Sequence, residues 1–273
     1  PSFICDKLGQ ISNMDRVQFA KEAIERQTER VERILFVAKN INFYLKDDSL
    51  DSQIIEEACR YSKHDLCSEI VFEFPELQGL MGGKYLINEG FNKEVSLAVA
   101  EHYLPRFFKD KLPSSKYGAV LSMADKLETL ISIFVIGKRP TGSSDPYALR
   151  RNLNGVIQII WHFNLKINLE NLICISINHW KKSVNEFDFD EKKVGIELLE
   201  FTKQRIISVL EEISIEKNWI NAICNSNLIS SEKMYELQDI KIRIDILNSL
   251  KEKNRFDKFK KIIARISRLA NIG

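Results

Sequence analysis

The segment VQFAKEAIERQTERVERILF, residues 17–36, shows the helical period that runs through most of this chain. Apolar residues recur in it mainly three, four or seven positions apart, at Val17, Ala20, Ile24, Val31, Ile34 and Leu35. A period near 3.6 residues places such side chains on one face of an α-helix, which packs that face against a core. The segment therefore predicts one or two amphipathic helices.

The same period recurs on the C-terminal side of this segment and predicts a largely helical chain. Further helices are predicted over residues 54–71, 92–103, 116–135, 145–163, 194–213, 233–250 and 256–269. Pro75 should interrupt the chain after the helix over 54–71, and residues 137–144 (GKRPTGSS) should form a loop. Asp145 followed by Pro146 is typical of a helix start. The best candidate strand is Leu172–Ile177, so the predicted fold class is mainly α.

Composition excludes several classes of protein. The 273 residues are 44% hydrophobic and 29% charged, with only 11 Gly and 6 Pro, which excludes disordered and collagen-like chains. The net charge of +2 does not by itself mark a nucleic-acid binder. Five cysteines without a CxxC pair favour buried reduced thiols over disulfides or a zinc ribbon. With no signal peptide or membrane-spanning run, we expect a cytoplasmic protein, and the start at Pro1 suggests a fragment of a longer chain.

One group of residues has the chemistry of a metal site. His64 and Asp65 are adjacent in a predicted helix, Asp125 lies on a later helix, and His102 is a further candidate. The pattern resembles the HD superfamily of metal-dependent phosphohydrolases, in which an early His, a His-Asp pair and a distant Asp hold the metal. Gln27 stands where the early His would be expected, and an amide is a weak ligand. The alternative is that Asp65 and Asp125 are paired within a helical bundle.

A second pattern consists of five strings in a fixed order. They are FEFPELQGLMG (72–82), EHYLPRF (101–107), ADKLETL (124–130), GKRPTG (137–142) and DPYALRR (145–151). Together they resemble the β subunits of the bacterial heterotetrameric glycyl-tRNA synthetase. The resemblance is strong over residues 8–155 and weaker toward KKIIARI (260–266), which looks like the entry to an anticodon-binding region.

This resemblance implies an organisation and a set of partners. Residues 1–165 would form an HD-like helical domain, and residues 166–273 a helical linker region that leads into a truncated anticodon-binding domain. In that family the α subunit carries ATP- and glycine-dependent activation, while the β subunit contributes tRNA recognition. The expected partners are tRNA(Gly) and the α subunit in an α2β2 assembly, without a membrane. ATP and Mg²⁺ belong to the intact enzyme, and the fragment is expected to bind no cofactor and to hold no catalytic residue.

Seven residues are candidates for tRNA contact: Lys84, Tyr85, Arg106, Lys138, Arg139, Arg150 and Arg151. The first three form a basic-aromatic set, in which the ring can stack on an exposed base. Lys138 and Arg139 lie in the glycine-flanked loop, where cations can reach phosphates. For Arg150 and Arg151 the alternative is a structural ion pair, and for the loop with Lys138 and Arg139 it is a solvated turn. Residues 251–268 carry a local charge of +6, which fits either phosphate contact or a solvated helix face.

Two other functions remain open from the sequence. The first is an active metal-dependent HD phosphohydrolase acting on a nucleotide or phosphodiester, which needs His64, Asp65 and Asp125 around one ion. The second is a structural spacer between modules of the β subunit, which needs none of the basic residues.

Overall fold

The computed structural model describes residues 13–142, 144–184, 188–224 and 235–252. Within these residues it consists of helices, with no β-strand beyond isolated bridges, which confirms the mainly α prediction. The α-helices are α1 (Asn13–Leu45), α2 (Ser52–Tyr61), α3 (Glu69–Glu73), α4 (Leu80–Asn88), α5 (Lys93–Glu101), α6 (Lys116–Val135), α7 (Leu149–His162), α8 (Leu169–Ser183), α9 (Glu191–Glu212), α10 (Lys217–Cys224) and α11 (Leu237–Glu252). Two 3₁₀ turns, His64–Cys67 and Pro75–Leu77, flank α3.

Helix α6 is the centre of the bundle, as expected of a helix that is apolar around most of its circumference. Sixteen of its 20 residues are buried, and α1, α5, α7 and α8 pack against it. Its first turn is capped by Ser115, whose Oγ accepts a hydrogen bond from the Gly118 amide at 3.0 Å. The helix also carries Asp125, Lys126 and Glu128 into the interior, where charged groups must find partners.

Helices α4 and α5 approach closely because a glycine lies at their contact. A β-carbon built on Gly83 would be 2.5 Å from the Ser96 carbonyl oxygen, so any side chain there would push the helices apart. Gly79, just before α4, has a φ of +78°, a conformation that favours glycine. This turn directs the amides of Gly79 and Gly82 toward Asp65.

The prediction of one helix over residues 54–71 is wrong. Helix α2 ends at Tyr61, a 3₁₀ turn follows, and α3 begins at Glu69. Serine side chains explain the interruption, because they bond to the backbone in competition with helix hydrogen bonds. Ser62 Oγ donates to the Cys59 carbonyl at 2.8 Å, and Ser68 Oγ donates to the Asp65 carbonyl at 2.7 Å. His64 and Asp65 therefore lie in a turn rather than on a helix face.

The candidate strand Leu172–Ile177 is also wrong, since these residues lie inside α8. The six residues alternate in polarity only weakly, and the wider segment has the helical period. The buried side chains of α8 are Leu169, Leu172, Ile173, Ser176, Ile177 and Trp180. Their spacing of three and four residues is the pattern of one helix face, and this longer pattern prevails over a short alternation.

The predicted helix start at Asp145–Pro146 is displaced. Helix α7 begins at Leu149, after Ala148 adopts a left-handed conformation with φ of 55°. The Asp145 carboxylate still satisfies the first amides, because it accepts from Leu149 N at 2.8 Å and from Arg150 N at 2.9 Å. The residue expected to cap this helix does so from four positions outside it.

Other predicted elements are confirmed. The helices predicted over 17–36, 92–103, 116–135, 194–213 and 233–250 correspond to α1, α5, α6, α9 and α11. A 3₁₀ turn at Pro75–Leu77 interrupts the chain where the proline predicted a break. The helix predicted over 256–269 lies outside the described residues, as do the side chains of the basic stretch 251–268.

The hydrophobic core continues across the predicted domain boundary at residues 165/166. Leu165, Ile167 and Leu169 belong to the same buried cluster as the centre of α6, and α8 packs against α1 and α6. The division into an HD-like domain and a linker region stays a prediction. Among the described residues, no helix combines the length and the apolar composition needed to cross a membrane.

Candidate functional site

A pocket of about 430 Å³ opens where the segment after α5, the 3₁₀ turn at residues 75–77 and the start of α7 meet the middle of α6. Its polar and charged lining includes Glu76, Tyr103, Arg106, Asp125, Lys126 and Arg151. The sequence places these residues far apart, and the packing of α6 at the centre of the bundle brings them together. The pocket is therefore a site built by the fold rather than by one motif.

Behind the pocket, the ammonium group of Lys63 lies between an imidazole and a carboxylate. Lys63 Nζ is 2.9 Å from His102 Nε2 and 2.8 Å from Asp125 Oδ2, and only 3% of the lysine side chain is exposed. The same ammonium lies 4.2 Å from the centre of the Tyr103 ring. Each neighbour of Lys63 thus offers it negative charge or a lone pair.

The His102 tautomer follows from its second hydrogen bond. His102 Nδ1 lies 2.6 Å from the Val99 carbonyl oxygen, which can only accept, so Nδ1 carries the proton. The Nε2 lone pair then accepts from Lys63. Burial and the nearby Lys63 charge hold the pKa of His102 well below its ordinary value, which agrees with a neutral ring.

Arg30 on α1 completes the partners of Asp125. Its Nη2 lies 2.9 Å from Asp125 Oδ1, and its Nε lies 3.2 Å from Glu128 Oε2. Glu128 is shared with Arg33, whose Nε is 2.9 Å from Oε1. Burial by itself raises the pKa of Asp125, but Lys63 and Arg30 together lower it below its usual range. Both oxygens of Asp125 are therefore committed to resident cations.

Lys126 is enclosed differently, by oxygens without a formal charge. Its Nζ donates to the carbonyls of Tyr103 and Leu104 at 3.2 and 3.0 Å and to Ser122 Oγ at 2.8 Å. Burial lowers the pKa of Lys126 to about 7. A β-carbon at Gly155 would lie 2.9 Å from Lys126 Cε, so glycine at that position of α7 leaves room for the lysine.

His64, Asp65 and Asp125 do not converge on a shared position. His64 Nδ1 donates to the Tyr61 carbonyl, while Asp65 Oδ2 accepts from Gly79 N at 2.7 Å and Gly82 N at 3.2 Å. Gln27 is exposed on α1. Within the described ranges there is no group of three His, Cys, Asp or Glu residues able to hold a metal ion. Because Lys63 and Arg30 saturate Asp125, the residues present do not fit the divalent ion of an HD phosphohydrolase.

Two of the seven predicted RNA contacts meet at the pocket. Arg106 follows α5 and Arg151 lies in the first turn of α7, and both are exposed and line the pocket. Neither guanidinium forms an ion pair or hydrogen bond with another side chain in the described part of the chain. Such cations remain available to a ligand.

Two other candidates, Arg139 and Arg150, form contacts within the chain, and neither matches its sequence-based alternative of a solvated turn or an ion pair. Arg139 Nε is 2.8 Å from Glu197 Oε2, and its Nη1 donates to the Phe134 carbonyl at 2.6 Å. Arg150 Nη2 donates to the Gly142 carbonyl at 2.8 Å and so fixes the loop before α7. These contacts commit the Arg139 guanidinium to Glu197 and one donor of Arg150 to the loop, and RNA contact by either arginine stays a prediction.

The remaining three candidates do not line the pocket. Lys84 is exposed on α4, and Tyr85 lies beside His64, with ring centres 6.3 Å apart. Lys138 is exposed in the loop after α6. The predicted set of Lys84, Tyr85 and Arg106 is thus divided, since only its arginine faces the pocket.

Sequence reasoning missed Lys63, Lys126 and Arg30. Each stands among other charged residues in a helical pattern, and such residues are normally solvent-exposed. No local signal in the sequence marks the burial of Lys63, which follows from the position of α6. The alternative metal set included the neighbouring His64, but it is the Lys63 side chain that enters the site.

Comparison with known proteins identifies the family. The profile of the glycyl-tRNA synthetase beta subunit family matches residues 7–225. The glycine–tRNA ligase beta subunit of Trichodesmium erythraeum is 39% identical over 248 residues, which cover 90% of this chain and 34% of that protein. The beta subunit of Oceanobacillus iheyensis is 36% identical over 223 residues, covering 80% and 32% respectively. That of Acaryochloris marina is 32% identical over 268 residues, covering 96% and 36%.

The chain spans about a third of the length of the curated relatives it matches. The family profile covers most of this chain, including α1 to α10 and every residue of the pocket. The order of the five sequence strings and the helical fold agree with this match. The chain therefore belongs to the glycyl-tRNA synthetase beta subunit family.

Proposed function

We propose that this chain is the part of a glycine–tRNA ligase β subunit that binds and positions tRNA for aminoacylation. The observation that carries the proposal is the pair Arg106 and Arg151 at one pocket, neither guanidinium having a side-chain partner among the described residues. Guanidinium groups bind phosphate oxygens with charge-assisted, often bidentate hydrogen bonds. The names of the relatives, glycine–tRNA ligase beta subunit, supply the class of substrate.

The chemistry of the ligase belongs to other parts of the assembly in this proposal. The α subunit binds ATP, Mg²⁺ and glycine, and the described part of this chain contributes cations that hold tRNA(Gly). The two kinds of subunit form an α2β2 enzyme in the cytoplasm. The proposal rests on family membership for the partners and on the pocket for the contribution of this chain.

The pocket is suited to a phosphate with its adjoining nucleotide. Its volume of about 430 Å³ is in the range of small-ligand pockets, and Tyr103 presents a partly exposed ring at its wall. Arg106 and Arg151 come from different elements, so they can contact one phosphate from two sides. The Asp125 carboxylate, which would repel such a ligand, is neutralised by Lys63 and Arg30.

The proposal is tested by the double variant Arg106→Ala/Arg151→Ala in the full-length β subunit assembled with its α subunit. We expect tRNA affinity to fall about tenfold or more, because each lost charge-assisted contact costs on the order of 1 kcal/mol. The slope of log K against log salt should fall in magnitude by roughly 1.5, as two phosphate contacts are lost. ATP-dependent activation of glycine without tRNA should not change.

The matched control is Lys192→Ala/Lys193→Ala, which removes the same charge from exposed positions on α9 away from the pocket. We expect this variant to keep its tRNA affinity within about twofold, since it loses only long-range attraction that salt screens. Equal tRNA affinity in the arginine variant and the control would overturn the proposal. That result would favour a spacer role for this part of the chain.

A further inference from the structure

The two groups that hold Lys63 Nζ by hydrogen bonds are also of the kinds that ligate metal ions. A neutral imidazole offers its Nε2 lone pair at 2.9 Å, and a carboxylate offers an oxygen at 2.8 Å. The other ring nitrogen of His102 donates to the Val99 carbonyl, and hydrogen bonds of this kind also orient metal-ligating histidines. Imidazole and carboxylate are ordinary ligands of divalent transition ions.

A divalent ion cannot share this position with the ammonium. The ion would have to take the Nε2 lone pair of His102 and the Oδ2 atom of Asp125, and Lys63 holds both. Repulsion between the ion and the buried ammonium adds to the cost, because charges interact strongly where water is excluded. Arg30 on Asp125 Oδ1 closes the other side of the carboxylate.

We propose that the Lys63 ammonium is a resident cation in place of a divalent ion, and that His102 and Asp125 form a latent divalent-cation site uncovered by its removal. The lysine supplies positive charge behind the pocket without a metal, and Asp125 beside it favours the charged form. The proposal concerns the floor of the pocket and does not depend on RNA binding there. The donor set fits Mn²⁺, with water in the positions that protein ligands leave open.

The space for an ion and its water comes from the lysine itself. Truncation of Lys63 at Cβ removes four heavy atoms from a nearly closed position, where 3% of the side chain is exposed. The same change leaves His102 and Asp125 facing the vacated volume, and Asp125 loses one of its two cations. Both effects favour binding of a small cation.

The test uses Lys63→Ala in the 273-residue chain, with Mn²⁺ as the probe and electron paramagnetic resonance to measure free Mn²⁺. We expect the variant to bind about one equivalent of Mn²⁺, at least tenfold more tightly than the unchanged chain. Mn²⁺ is chosen because Cys67 and Cys174 are exposed and would attract softer ions. The thermal unfolding temperature of Lys63→Ala should rise with Mn²⁺ concentration, because the ion binds the folded state.

Matched controls carry a second change at one ligand. Lys63→Ala/Asp125→Asn and Lys63→Ala/His102→Gln lack the same lysine, and we expect both to lose the added Mn²⁺ binding. If Lys63→Ala folds poorly, its refolding yield with Mn²⁺ is compared with the yield in chelator, and Mn²⁺ should raise the yield. Mn²⁺ binding by Lys63→Ala no tighter than in the unchanged chain, equal binding in the ligand controls, or a refolding yield indifferent to Mn²⁺ would each overturn the proposal.

Discussion

Arg30 places its guanidinium 2.9 Å from Asp125 Oδ1, although the two residues are 95 positions apart in the sequence. On the same helix, Gln27, which stands where the HD pattern has its early His, is exposed. The cation three residues later contacts the carboxylate and also bonds Thr129 Oγ1 at 3.0 Å. Contact between α1 and α6 at this point is therefore polar and specific, next to an otherwise apolar interface.

Replacement of Arg30 by alanine should destabilise the fold. The change leaves Asp125 with Lys63 alone and removes one of the two arginines on Glu128, a side chain that is only 2% exposed. Removing one partner of a buried ion pair costs about 3–5 kcal/mol. Because Arg30 is 31% exposed and both carboxylates keep another cation, we expect a loss of roughly 2 kcal/mol in the free energy of unfolding. Urea denaturation followed by circular dichroism measures it.

A surface pair provides the comparison for Arg30. Lys39 Nζ lies 2.8 Å from Glu56 Oε1, with half of the lysine side chain exposed. Lys39→Ala should cost less than about 1 kcal/mol, because exposed ion pairs contribute little. If both alanine variants unfold at the same urea concentration, the Arg30 contacts do not stabilise the fold.

Gly83→Ala should separate α4 from α5. The added β-carbon would lie 2.5 Å from the Ser96 carbonyl oxygen and 2.7 Å from Ala100 Cβ, and neither neighbour can rotate away. Overpacking of this kind costs about 1–3 kcal/mol.

Gly195→Ala on α9 is the control, since its nearest neighbour, Ile177 Cδ1, is 3.9 Å away. We expect that control to be neutral or up to about 1 kcal/mol more stable, because alanine favours a helix over glycine. Equal thermal shifts in the two variants would contradict the steric explanation.

The sequence predicts this fold well where burial and periodicity agree. The bounds of α6 follow from a long apolar stretch between Ser115 and Gly137, and its burial on all sides agrees with that composition. The prediction fails at α2 and α3, where serine side chains interrupt a good apolar period. Such side-chain-to-backbone bonds depend on local geometry, which a periodic pattern does not contain.

The candidate site was predicted only in part, for a different reason. The sequence identifies His102 and Asp125 only as members of an alternative metal set that includes His64 and Asp65, whereas the cation between His102 and Asp125 is Lys63. From the sequence, Arg150 and Arg151 are equally good candidates for RNA contact. Successive helix residues point about 100° apart, so one faces the pocket and the other the preceding loop. Only the packing of α7 against α6 distinguishes them.

Arg139→Ala tests the structural role given to a residue that the sequence offered as an RNA contact. Its guanidinium links the end of α6 to α9 through Glu197 and lies 4.2 Å from the centre of the Phe134 ring. We expect a loss of about 1 kcal/mol in unfolding free energy, since the pair is partly exposed. Lys138→Ala, at the exposed neighbouring position, should leave stability unchanged. An Arg139 variant as stable as the Lys138 variant would contradict the structural role given to Arg139.

The stability of the fold should depend on pH through Lys126. The pKa of this lysine is about 7 in the folded chain, against an ordinary value of 10.5, so the unfolded chain binds more protons between these two values. The free energy of unfolding is therefore lowest below pH 7 and increases as the pH rises toward 10.5, because the folded chain loses its proton first. The slope approaches about 1.4 kcal/mol per pH unit in the middle of this window.

Lys126→Met keeps most of the side-chain volume without the titrating group, and subtraction of its pH profile removes the contributions of other residues. Urea unfolding from pH 6.5 to 9.5 should show the unchanged chain gaining stability relative to Lys126→Met. Parallel profiles for the two proteins would mean that the carbonyl groups around Nζ keep Lys126 protonated throughout, with a pKa close to that of the unfolded chain.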